Sequence, residues 1–200
     1  FLDLTGSVDQ QGVNNQFNLN AQVSNVNISK FFYSFDNFGI DGLSYKNLRG
    51  NFFSKINASG AITDAGKLVS RSMKGVVTFD LKNGALVNYP PFVSVSKFAL
   101  RGRGLDNVTF SNLNGRFDID REKINISPMK ISSSAINMDV TGVYSLGKGT
   151  NISIDVPLRN PKKDAKITDE QERKERRMKG LVLHLVAKDG DDGKIHFGLK

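Results

Sequence analysis

Apolar and polar residues alternate one by one along most of this chain. Ile152, Ile154, Val156 and Leu158 alternate with Asn151, Ser153, Asp155 and Pro157. Ile136, Met138 and Val140 alternate with Asn137, Asp139 and Thr141, and Val77, Phe79 and Leu81 with Thr78 and Asp80. Leu181, Leu183, Leu185 and Ala187 alternate with Val182, His184 and Val186. A period of two marks strands with one apolar and one largely wet face. The pattern predicts roughly nine to eleven strands. Turns are expected at Lys82-Asn83-Gly84, Arg121-Glu122-Lys123, Gly147-Lys148-Gly149 and from Asp189 to Gly193.

Two segments depart from the alternation. In Ser29–Phe38, Phe31, Phe35 and Phe38 fall at i, i+4 and i+7, which predicts a short helix with an aromatic face. Ser29 is its expected N-cap and Gly39 its expected C-terminal stop. Residues 161–179 hold eight positive and five negative charges with almost no apolar side chains. This predicts an exposed charged insert, helical or disordered, ahead of a C-terminal hairpin over 180–200.

Composition supports a β-rich body. Asn (19), Ser (18) and Gly (19) are abundant, Glu is scarce (4), and three of the Glu lie in the insert. With 38% hydrophobic residues and 14 Phe the chain can bury apolar surface, which excludes wholesale disorder. No Cys means no disulfide and no thiolate chemistry. The net charge of +8 is spread out: +5 over residues 1–160, +3 in the insert and none over 181–200. The basic-aromatic stripe of an RNA-reading sheet is missing, so no nucleic-acid partner is expected. The chain starts at Phe1 and reads as a single β-rich domain, residues 1–200, cut from a longer protein.

Two passages repeat. Val26-Asn27-Ile28-Ser29-Lys30-Phe31 resembles Val93-Ser94-Val95-Ser96-Lys97-Phe98, 67 residues on. Tyr45–Phe52 resembles Phe110–Phe117, 65 residues on, through the pattern aromatic-x-Asn-Leu-x-Gly-x-Phe. The apolar phase shifts between Phe110 and Leu113, so a bulge or bend is expected there.

The text from Gly75 onward carries a family likeness. Gly75–Phe92 reads G-x-apolar-x-F-x-L-x-N-G-x-L-x-N-x-P-x-F. Val108–Ile119 and Ile124–Tyr144 follow, with Leu113, Gly115, Phe117, Ser132, Ser133, Ile136 and Gly142 in a recurring order. Over about residues 25–158 the chain resembles the C-terminal region of the AsmA-like family of Gram-negative envelope proteins. The resemblance implies an elongated, bent antiparallel sheet, forming a groove with an apolar inside. It implies a parent anchored in the inner membrane by an N-terminal helix, projecting into the periplasm. It also implies a part in outer-membrane biogenesis through phospholipid movement. These motifs are turns and strand registers, so they speak for fold more than for activity.

The expected fold is therefore mainly β: an elongated, bent antiparallel sheet, groove or sandwich-like, with one or two short helices and the charged insert. Candidate apolar groove residues are Val77, Phe79, Leu81, Phe117, Ile119, Ile124, Ile126, Ile136, Met138, Val140, Ile152, Ile154, Val156 and Leu158. Phe31, Phe32, Phe35 and Phe38 form a candidate aromatic cap or gate. Alternation does not separate an open groove from a closed sandwich core, since both need one apolar face. Two functions follow. One is a non-enzymatic module that binds phospholipid or a membrane. The other is a structural β-sandwich scaffold of the cell envelope that binds protein or glycan.

No catalytic site, cofactor or metal is expected. His184 and His196 sit on the two arms of the final hairpin, but two imidazoles fall short of a zinc ligand set. Asp118 and Asp120, beside Arg116 and Arg121, read as a charge ladder on the wet face. Gly102-Arg103-Gly104 is at most half a phosphate loop, and Ser132–Ser134 has no activating base in a recognisable motif.

Overall fold

The computed structural model describes residues 1–10, 12–39, 43–90, 92–93, 102–158, 166–177 and 180–200. It forms one ten-stranded sheet, antiparallel throughout, in which spatial order equals chain order. The strands are β1 (Leu2–Asp9), β2 (Asn15–Asn27), β3 (Leu48–Ile62), β4 (Leu68–Val87) and β5 (Asn107–Asp120). They continue as β6 (Lys123–Ser132), β7 (Asn137–Ser145), β8 (Asn151–Pro157), β9 (Val182–Asp189) and β10 (Ile195–Leu199). The sheet does not fold back on itself as a sandwich. Its accessible surface is 12473 Å², against roughly 9,300 Å² for a compact monomer of this mass.

The two rims differ. Short turns join β1 to β2, β3 to β4, β5 to β6, β7 to β8 and β9 to β10. The opposite rim carries the longer connections, apart from the four residues 133–136 between β6 and β7. Between β2 and β3 lie helix α1 (Ile28–Ser34) and a 3-10 turn (Asp36–Gly39); helix α2 (Glu170–Arg177) lies between β8 and β9. Both buried clusters lie toward this rim. Ile28, Leu48 and Leu81 form one, with Phe52, Leu86 and Leu113 against them. Leu105, Val108, Ala135, Ile136, Met138 and Val156 form the other, with Leu158 against it.

Asparagine explains much of the bending. Among the described residues, Asn25, Asn37, Asn83 and Asn88 are four of the seven non-glycine residues with positive φ, a conformation Asn tolerates better than other L-residues. Asn25 sits in the β2 bulge between Val23 and Val26. Asn83, expected in a hairpin turn, lies instead inside β4, which runs unbroken from Leu68 to Val87. There β4 carries one extra residue against β3, opposite Gly50 at φ 121. The register with β5 is kept through the same point, so β4 and β5 change face together between Phe110 and Leu113. This is the bend expected within the repeated motif. The repeat partner Ser94–Phe98 lies outside the described residues.

The N-cap of α1 is Asn27, not Ser29: its Oδ1 accepts the Lys30 N–H at 3.0 Å. Ser29 is already in the first turn and donates its hydroxyl to the Tyr45 carbonyl at 2.7 Å. The helix stops at Ser34, before Gly39, because Asp36, Asn37 and Phe38 turn left-handed at φ 48, 52 and 55. Asn37 Oδ1 holds that turn by accepting the Tyr45 N–H at 2.8 Å. In the charged insert, residues 161–165 and 178–179 lie outside the described residues. Within α2, Arg176 pairs with Glu172 at 2.7 Å.

The turn from β7 to β8 is tied to β9. Asp189 Oδ2 accepts the N–H of Gly149 at 2.5 Å and of Thr150 at 2.9 Å. The Thr150 hydroxyl and then the Gly149 amide hold the Asp189 carboxyl below the usual carboxylate range. The unfolded chain therefore binds this proton more readily than the folded one. The contribution is full above the ordinary carboxylate pKa and is lost as pH falls through the lowered folded value. The protection of the 145–150 turn, taken against intrinsic exchange at the same pH, is expected to fall below about pH 4, and at neutral pH in Asp189→Asn. Equal exchange in the variant and the parent at neutral pH contradicts this tie.

Candidate apolar face and strand cleft

Cross-strand register places one apolar residue or glycine on every strand in a single row. Leu4 faces Ala21, which faces Ile56, then Val77, then Phe117. The row continues through Ile126, Gly142, Ile152, Ala187 and Phe197. Partners directly opposite in an antiparallel pair project to the same face. Parallel rows flank it: Val26, Phe52, Leu81 and Leu113 on one half, Met129, Val140, Ile154, Leu185 and Leu199 on the other. The corresponding row on the other face is mostly polar: Thr5, Asn20, Asn57, Val76, Asp118, Asn125, Val143, Asn151, Lys188 and His196.

The candidate groove residues fall on the apolar face. Val77, Phe79 and Leu81 come from β4, Phe117 and Ile119 from β5, Ile124 and Ile126 from β6. Met138 and Val140 come from β7, and Ile152, Ile154 and Val156 from β8. Ile136 and Leu158 lie just outside the strands, in the buried cluster near the long-connection rim. Leu81, Ile136, Met138 and Val156 are buried, and the other ten are half-buried. Toward the rim the face is covered; along the central row it stays accessible except at Ala21 and Ala187, which are buried. The alternation did not reveal that Leu4, Ala21, Ile56, Ala187 and Phe197 extend the row to both edges. That needs the register of every ladder.

The four candidate cap residues come together. The Phe31 ring lies 5.0 Å from Phe35 and 5.5 Å from Phe38, and Phe32 lies 5.2 Å from Phe38. Phe35 stacks on Phe38 at 5.2 Å, and both are exposed. A path of rings leads from this cluster onto the apolar face. Phe31 to Phe52 is 5.3 Å, Phe52 to Phe79 is 6.3 Å and Phe79 to Phe117 is 5.1 Å. Phe52 and Phe117 hold the same place in the repeated motif, on either side of Phe79.

The β5–β6 ladder is short. It runs from Phe117 opposite Ile126 to Asp120 opposite Lys123. Beyond it lies a cleft of about 650 Å³. Phe79, Gly115 and Met129 line it from the apolar face; Thr78, Asp80, Asn114, Arg116 and Lys130 line it from the polar face. Its cause is local. Pro128 has no N–H to donate, and β6 bulges between Ile126 and Met129.

The chain matches no family model, no curated protein and no solved structure.

The polar face holds paired charges. Arg116 grips Asp118 with Nη2–Oδ1 2.6 Å and Nε–Oδ2 3.2 Å, and Arg121 reaches Asp120 at 3.3 Å. These are the ladder expected for the two aspartates. His184 and His196 each bind their own carboxylate, Asp155 at 2.7 Å and Asp192 at 2.8 Å. Hydrogen bonding to His196 lowers the Asp192 pKa. Among the described residues no group of three or more His, Asp or Glu could hold a metal ion. Among them, too, no helix is long and apolar enough to cross a membrane.

Proposed function

We propose that this chain is a non-enzymatic periplasmic module of an AsmA-like protein of outer-membrane biogenesis, and that its apolar sheet face binds or guides phospholipid. The parent is anchored in the inner membrane by an N-terminal helix. The observation that supports this reading best is the ten-residue row from Leu4 to Phe197, apolar or glycine at every strand. Strand spacing of about 4.8 Å makes it roughly 43 Å long, whereas half of a ~30 Å hydrocarbon core is about 15 Å. The row therefore exceeds one acyl chain and suits passage along the face as well as holding at one point. Acyl chains need continuous apolar lining, at about 0.8 kcal/mol per buried methylene.

The test is native mass spectrometry of the purified chain from cells. Phospholipid masses on the folded protein are expected. A folded, delipidated chain that takes up no fluorescent phospholipid sinks the reading, and a protein or glycan adduct in its place favours an envelope scaffold.

A further inference from the structure

We propose that the aromatic cluster at α1 docks on the surface of an anionic phospholipid bilayer: Phe35 and Phe38 enter the interface, with Tyr33, Lys30 and Lys46 around them. This rests on the lipid reading above and names the surface through which the chain meets a membrane. The first support is a pair of rings that the core does not use. Phe35 and Phe38 stack on each other with 47% and 49% of their surface exposed. The buried cluster of this rim takes in Phe32 and Phe52 but neither of them. Adjoining phenyl rings turned toward water gain free energy at an interface that dehydrates them. Their presentation is fixed by the backbone. The left-handed turn over Asp36, Asn37 and Phe38 reverses the chain after α1, and Asn37 ties it to the Tyr45 N–H at 2.8 Å.

The second support is what surrounds the rings. Tyr33 is exposed and packs edge-on against Tyr45 at 5.1 Å. Lys46 Nζ lies 5.8 Å from the Tyr45 ring. Lys30 and Lys46 are exposed, and neither forms an ion pair among the described residues. Asp36 is the opposing charge beside them. Phenyl rings at the centre, with tyrosine and lysine at the margin, match the layering of a bilayer interface from acyl chain to headgroup.

The third support is the division of charge between the two rims. By sequence, the connections of the rim that bears α1 carry +2 over residues 88–106 and +4 over 158–181, with none over 28–47 or 133–136. The connections of the short-turn rim carry +1 over 146–150, −1 over 190–194 and none elsewhere. Acidic lipid therefore attracts the α1 rim and not the other. The fourth support is continuity. The ring path from Phe31 through Phe52 and Phe79 ends on Phe117, in the central row. A bilayer met at Phe35 and Phe38 lies at the foot of the apolar face.

The experiment is flotation of the whole chain with two kinds of vesicle, phosphatidylcholine alone and phosphatidylcholine with one part in four of phosphatidylglycerol. Binding to the acidic vesicles is expected to be at least tenfold tighter. The double variant Phe35→Ser, Phe38→Ser, at two exposed sites, is expected to lose it at least tenfold. The chain has no Trp, so single-tryptophan variants report which rim is inserted. Fluorescence of Phe35→Trp is expected to be quenched by brominated phosphatidylcholine in the acidic vesicles. Leu146→Trp, exposed on the short-turn rim, is expected to remain unquenched. Equal quenching of both reporters, equal binding to both vesicles, or full binding by the folded serine variant overturns the docking surface. A parent chain that floats with neither vesicle also overturns it. If such a chain still carries phospholipid in native mass spectrometry, the apolar-face reading stands; if it carries none, both readings fall.

Discussion

On the proposed reading, replacing Ile126 or Ile152 with aspartate is expected to strip phospholipid from the sheet without unfolding it. Both lie in the central row, on β6 and β8, two strands apart. Both are half-buried, so the new carboxylate still reaches water in the free protein and the fold tolerates it. A chain laid along the row would have to desolvate that charge, at a cost of several kcal/mol, against about 0.8 kcal/mol gained per methylene. Lipid occupancy in native mass spectrometry is expected to fall at least tenfold, or about 1.4 kcal/mol, with the circular dichroism of the parent retained. Ile56→Asp, three strands from Ile126, should behave alike, because one row serves the whole face. Asn57→Asp, its neighbour on the wet face, should change nothing. Folded aspartate variants that still carry their full lipid load would refute a role for the row.

Gly142→Ala is expected to be the costliest single-methyl change in the sheet. Gly142 sits in the same row, paired with both Ile126 and Ile152, at φ 142. A Cβ there would overlap the Asn151 carbonyl oxygen and lie 2.8 Å from Ile152 Cα. These are backbone atoms of the next strand and cannot turn aside as a side chain can. Strain at an unfavourable φ costs about 1–3 kcal/mol and overpacking a similar amount. A loss of about 3 kcal/mol or more in urea unfolding is expected. Gly66→Ala is the control: φ is 74 there, but nothing lies within 4 Å, so only the smaller backbone penalty applies. A Gly142→Ala loss no larger than that of Gly66→Ala would show that β7 and β8 separate freely.

The strand faces were legible because alternation is itself the consequence of one apolar face. Val77, Phe79 and Leu81 sort by parity wherever the strand is placed. Open sheet and sandwich were not distinguishable on that basis, because either arrangement asks the same of each strand. The Asn83-Gly84 pair misled for a local reason. Asn83 has the left-handed conformation of a hairpin turn, and a bulge wants it too; what decides is that β4 pairs with β3 and with β5 both before and after the Asn83-Gly84 step. Asn27 and Ser29 are both good capping residues two positions apart, and the end of β2 selects the first. The cleft had only Pro128 as a signal, since its shape depends on how β6 meets β5 and β7 together.

In a sheet whose spatial order equals its chain order, each strand leans on its two neighbours in sequence. Stability then behaves as a sum of adjacent ladders rather than as one indivisible core. β1 and β10 each have a single ladder, and every residue of β1 is exposed. Such a molecule loosens from its margins inward, strand by strand, and forms from contacts close in sequence, which favours quick assembly for an all-β chain. Amide protection is expected to rise from both edges toward β3–β4, the longest paired strands, which hold the last structure to melt.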